Sequence, residues 1–141
     1  MSLLDRIAEQ KKKRLASVKG KVSLKDLQSR IADSEKPRLF QDAIRRTTGQ
    51  IRLIAEIKKA SPSRGTIRED FNLLEIARTY EDKAVDAISV VTEEDFFSGL
   101  LDYLPAVKGA VTRPLLRKDF LFDEYQMYES RAFGADAVLF I

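Results

Sequence analysis

Apolar positions along the first 50 residues recur at helical spacing. Leu3, Leu4, Ile7, Ala8 and Leu15 share one face, and Ser2 with Asp5 forms a capping-box pair ahead of them. Gly20 is placed to end that helix. Ser23 and Asp26 repeat the cap, followed by the stripe Leu24, Leu27 and Ile31. Lys36-Pro37 interrupts the pattern, and Leu39, Phe40, Ala43 and Ile44 predict one more short helix before a turn at Thr47-Thr48-Gly49-Gln50. From residue 51 the spacing changes. Runs at 51–57, 87–91, 114–117 and 137–141 read as strands, the second of them short and rich in β-branched residues. Between them, Leu73 to Tyr80, Leu101 to Val107 and a segment capped by Asp123 and Gln126 through Arg131 read as helices, with a Pro/Ser/Gly loop at Ala60–Gly65.

The order is therefore a helical extension, residues 1–50, then β-α-β-α-β-α-β over residues 51–141. Alternating units with nearly all-apolar strands predict an α/β fold with a parallel sheet and helices outside it. The fourth strand, Ala137–Ile141, has no helix after it. Parallel sheets are covered by such helices, so the chain reads as cut after this strand.

Composition narrows the chemistry. The balance of 44% apolar and 33% charged residues, with eight Phe, is that of a globular chain with a sizeable core. A net charge of +3 is too small to point to nucleic acid, and suits an anionic small molecule. Its densest basic run is Lys11-Lys12-Lys13-Arg14. No run reaches membrane-span length and the start is charged, so a cytoplasmic location is expected. There is no Cys and no His, hence no disulfide and no metal site built on either, and acid–base work falls to carboxylates, lysines or tyrosines.

Candidates of those types cluster where three strands end. Glu56 and Lys58 are two apart and face the same way on a strand, as a surface ion pair or as an acid–base pair. Lys118 follows the third strand, as a solvated loop lysine or as a proton donor. After the second strand, Glu93-Glu94-Asp95 stands beside Phe96-Phe97, aromatics that pack under helices or wall a pocket. Ser61-Pro62-Ser63-Arg64-Gly65 has the groups for an anion but is no P-loop. In a (β/α)₈ barrel the active site lies at this end of the strands.

These segments together resemble the indole-3-glycerol-phosphate synthase family. The resemblance rests on Ile54-Ala55-Glu56-Ile57-Lys58-Lys59-Ala60-Ser61-Pro62-Ser63, on Ile88 to Glu93 with Phe96-Phe97-Ser98-Gly99, and on Pro114-Leu115-Leu116-Arg117-Lys118-Asp119-Phe120. Tyr125-Gln126 and Gly134-Ala135-Asp136-Ala137 continue it. One departure is Ala84-Val85-Asp86 before the second strand, where the family usually has Gly-Ala. The resemblance implies the N-terminal half of a (β/α)₈ barrel with its helical extension. It also implies a carboxy-lyase of tryptophan biosynthesis that needs no cofactor and no metal. The substrate would be 1-(2-carboxyphenylamino)-1-deoxyribulose 5-phosphate, a phosphosugar. Lys118 would be the proton donor, Glu56 and Lys58 its catalytic neighbours, and Ser61, Phe97 and Phe120 substrate-binding residues. The family's later catalytic residues have no counterpart in this sequence, and neither does its phosphate site after strands seven and eight, so this chain alone is expected to be inactive. Two other readings stand beside this one. A self-associating, non-catalytic half-barrel could pair its open edges as a homodimer. Another phosphosugar barrel, such as phosphoribosylanthranilate isomerase, fits the fold but not these motifs.

Overall fold

The computed structural model describes residues 1–47 and 49–141. Both serine caps form as the spacing predicts. Ser2 opens α1 (Leu3–Lys21) and Ser23 opens α2 (Leu24–Ala32), each in a reciprocal capping box with the aspartate three residues on. Gly20 does not end α1: the helix runs through it to Lys21, and Val22 in extended conformation closes it. The short third helix, α3, is Phe40–Ile44. The turn expected at Thr47–Gln50 includes Thr48, which lies outside the described residues.

Four strands form one parallel sheet in the order β1 (Ile54–Ile57), β4 (Ala87–Val91), β5 (Leu115–Lys118), β6 (Ala137–Val138). Helices α4 (Leu73–Asp82), α5 (Tyr103–Ala110) and α6 (Glu124–Ala132) connect them. The loop expected at Ala60–Gly65 holds a two-residue antiparallel hairpin, β2 (Ala60–Ser61) with β3 (Gly65–Thr66), and Gly65 supplies its positive φ of 63°. The first and last strands are shorter than the apolar runs that predict them. At the first, the Leu53 amide and carbonyl are taken by the Asp86 carboxylate and amide, which fixes the pairing as beginning at Ile54.

Strand alternation sorts the sheet into two faces. Ile57, Ile88, Val90 and Leu115 point to the helices and pack with Ala77, Leu104 and Val107 in the main core. The opposite face carries Glu56, Ser89 and Lys118, which follows from the register Glu56↔Ser89 and Val91↔Lys118. This is the layering of part of a (β/α)₈ barrel, with helices outside and polar side chains on the inner face. The N-terminal helices pack separately: Leu15 of α1 and Leu27 of α2 enclose Tyr125 of α6 in a second apolar cluster. Among the described residues, no helix is long and apolar enough to cross a membrane.

Candidate active site

At the C-terminal ends of β1, β4 and β5 a cavity of about 170 Å³ opens between the strands and their loops. It contains five of the six residues singled out from the sequence: Glu56, Lys58, Phe97, Lys118 and Phe120. Glu56 sits at the centre. One carboxylate oxygen accepts from the Lys118 ammonium at 2.8 Å, and the other lies 3.2 Å from the Lys58 ammonium. The Ser89 hydroxyl, from β4, donates at 3.3 Å to the oxygen that Lys118 uses. Glu56 on β1 and Lys58 just past its end are two residues apart, and their side chains meet side by side. Lys118 arrives from two strands away because β4, between them, presents only the short side chains of Ala87, Ser89 and Val91 on this face.

Burial pushes the Glu56 carboxyl up, but the hydrogen bonds and charge of Lys118 and Lys58 outweigh it and hold the group below its ordinary value. Glu56 therefore stays ionised at neutral pH. Two ammonium groups share one carboxylate, leaving a net positive charge. The wall opposite is apolar: the rings of Phe97 and Phe120 stand 6.1 Å apart, tilted by 41°. The site can thus hold a flat apolar group against the phenylalanines and an anion or a polarised oxygen against the lysines.

The loop after β4 owes its shape to Glu93, which is buried. Its carboxylate accepts from the amides of Asp95, Phe96 and Phe97 at 2.8–3.1 Å, a turn that delivers Phe97 to the cavity. Gly99 closes the turn, its amide on the Glu93 carbonyl at 2.7 Å. A Cβ there would lie 2.5–2.9 Å from the backbone of Val91, Thr92 and Glu93. The neighbouring Phe96 turns away from the cavity and lines a surface groove with Arg6 and Gln10.

Ser61 is not brought into this cavity. It lies on β2, half-buried, with its hydroxyl 3.5 Å from that of Ser63. Conversely, the structure adds a charged network that the residue-by-residue reading missed. Asp119, between Lys118 and Phe120 and on the cavity lining with them, is buried and accepts from Thr92 Oγ1 at 2.6 Å, Arg117 at 3.1 Å, Lys11 at 2.9 Å and the Phe120 amide at 2.8 Å. Burial raises its carboxyl, yet Arg117 and Lys11 prevail and hold it below the usual range. Arg117, 2% exposed, also donates to Glu129 and Ser130 of α6. Lys11 comes from the basic run of α1 and is 5% exposed. Its place on the stripe Ile7, Lys11, Leu15 is the one signal that marked it as inward-facing.

Among the described residues, Glu93, Glu94 and Asp95 are the trio whose oxygens approach closely enough to share a cation. All three carboxylates are engaged: Glu93 by loop amides, Glu94 by Lys11 at 3.0 Å, and Asp95 by the Arg14 guanidinium. Glu94 and Asp95 are thus a seat for α1.

A family model described as indole-3-glycerol phosphate synthase matches residues 4–141. An indole-3-glycerol phosphate synthase of Chlorobium phaeobacteroides is 48% identical over 141 residues, covering 100% of this chain and 55% of that protein. One of Clostridium acetobutylicum is 46% identical over 140 residues, covering 99% of this chain and 53% of its own length. One of Caldanaerobacter subterraneus reaches 61% identity over 93 residues, covering 66% of this chain and 36% of the relative. The chain thus spans about half the length of most of the curated relatives it matches.

Proposed function

This chain belongs to the indole-3-glycerol phosphate synthase family, and from that premise we propose that its cavity forms one side of the site that closes the indole ring. The reaction converts 1-(2-carboxyphenylamino)-1-deoxyribulose 5-phosphate to indole-3-glycerol phosphate, carbon dioxide and water. The observation that carries the reading is the bridging of Lys118 and Lys58 by Glu56 against a wall of two phenylalanines. The aromatic ring of the substrate lies on Phe97 and Phe120, which bring its carboxylate-bearing carbon towards the sugar carbonyl. Lys118, as the cationic donor, delivers a proton to the carbonyl oxygen as the new carbon–carbon bond forms. Carbon dioxide then leaves from the ring carbon and restores aromaticity. Glu56 and Lys58 position the substrate and move the proton that accompanies loss of water. The net positive charge of the triad favours a substrate carrying a carboxylate and a phosphate. Ser61 is assigned to substrate binding on the resemblance of the Lys58–Ser63 segment alone.

The test is fluorescence of the indole product from this chain mixed with the C-terminal half of a family member. Turnover in the mixture, lowered about 100-fold or more when Lys118 is replaced by Met, is the expected result. Equal turnover with and without Lys118 would remove it from the chemistry.

One observation favours a second reading. Among the described residues β1 and β6 each pair along one edge only, and Leu53, Ile54, Phe140 and Ile141 around them are exposed. Two copies meeting there would make eight strands, with Lys118 present twice. Sedimentation of the chain alone distinguishes monomer from dimer.

A further inference from the structure

We propose that Lys11 is a positioning residue: its ammonium clasps the two loops that carry Phe97 and Phe120, so that docked α1 sets the spacing of the aromatic wall beside Lys118. The reading of that wall as a seat for an aromatic ring rests on the function proposed above; the clasp itself rests on geometry.

Lys11 reaches both loops from outside the sheet. Its ammonium lies 3.0 Å from Glu94, next to the residue whose carboxylate shapes the turn ending in Phe97. It lies 2.8 Å from Asp119, whose other bonds hold the Phe120 amide and the Thr92 hydroxyl. Thr92 in turn begins the loop that holds Glu94, and its amide binds the Lys118 carbonyl at 3.1 Å. Both loops therefore end on one nitrogen. That nitrogen is almost fully buried, unlike the neighbouring Lys13, whose side chain is 68% exposed and pairs only within its own helix. A second tie from α1, Lys19 to Asp123 at 2.7 Å, anchors the helix to the far end of the Phe120 loop, where α6 begins, and does not reach the Phe97 loop. Arg14 on Asp95 adds a third tie, at the surface. Helix attachment is thus shared among several residues, whereas among these ties from α1 Lys11 is the one that reaches both loops at once, outside the direct Thr92–Asp119 bond at their base.

The experiment is the ring–ring NOE between Phe97 and Phe120, measured with labelled phenylalanine on the whole chain well below its unfolding midpoint. The parent and Lys11→Arg should show the contact, Lys11→Met should lose it, and Lys19→Met should keep it. Retention in Lys11→Met overturns the proposal. Loss in Lys19→Met also overturns it, because the contact would then follow helix docking in general. If Lys11→Met fails to fold, Glu94→Ala cuts only the arm to the Phe97 loop; loss of the NOE there supports the clasp and its retention overturns it. Anthranilate titration of the parent reads the other claim. A chain that shows the contact but does not bind anthranilate keeps the clasp and counts against the assignment of the wall to a substrate ring.

Discussion

The two ends of the parallel strands use the same residue types to opposite effect. At the N-terminal end, Asp86 accepts from the Leu53 amide at 2.7 Å and from Arg52 at 2.9 Å. Asp136 accepts from the Leu115 amide at 2.8 Å, the Arg38 amide at 2.7 Å and the Lys108 ammonium at 2.6 Å. Each aspartate stands just before one strand and ties down the start of its neighbour. At the C-terminal end Glu56 binds no amide. It holds two lysines, and the three side chains border a cavity. Charge that terminates on backbone fixes the fold; charge left in excess beside an apolar wall is available to a ligand.

The largest effect that would test this contrast is at Asp136, whose side chain is wholly buried. Asp136→Ala strands a lysine and two amides, and should cost about 3–5 kcal/mol in urea unfolding. A loss near zero would mean that the clasp is ornamental. Lys118→Met is the counterpart. In the complemented assay it should lower turnover by about 100-fold or more while leaving the unfolding midpoint in place. A large fall in the midpoint would move Lys118 to the structural side of the comparison. Gly99→Ala should cost roughly 2 kcal/mol, because the added methyl meets backbone that has no room to yield. Native-like stability in that variant would show that the Glu93 turn can shift. The smallest change is a gain. Ala84 precedes the Asp86 clasp at φ 56°, where Gly134 precedes the Asp136 clasp at φ 96°. Ala84→Gly should stabilise by about 1 kcal/mol by relieving the left-handed strain, read as a raised thermal midpoint. A lowered midpoint would show that the strain is already compensated.

What the sequence disclosed divides along the same physical line. The caps at Ser2, Ser23 and Asp123 were legible because each is settled within three residues. The apolar run at 87–91 coincides with β4 because both of its neighbours are strands and every residue in it is buried. Strand ends were less legible, since β1 starts where Asp86, over 30 residues away, takes up Leu53. In the site, Glu56, Lys58, Lys118, Phe97 and Phe120 converge because strand alternation and parallel register place them there. Ser61 does not line the cavity, because the segment beyond Lys58 turns into a hairpin. Lys11 and Arg117 were hidden by their residue type. A lysine in a basic run and an arginine next to a lysine look solvated, and only their distant carboxylates reveal them as buried. The family segments supplied the convergence in one step; the structure supplies its cause.

Helix α1 also has a history within each molecule. It leaves the ribosome before the strands of the sheet, yet Lys11 waits for Asp119, 108 positions later, and Leu15 waits for Tyr125. At roughly 5–20 residues per second, that interval lasts about 5–20 s. Meanwhile β1, β4 and β5 can pair in sequence as they emerge, while the helix carries Ile7 and Leu15 uncovered. The helix that carries Lys11 is thus made before the strands it packs against and can seat only after they have formed.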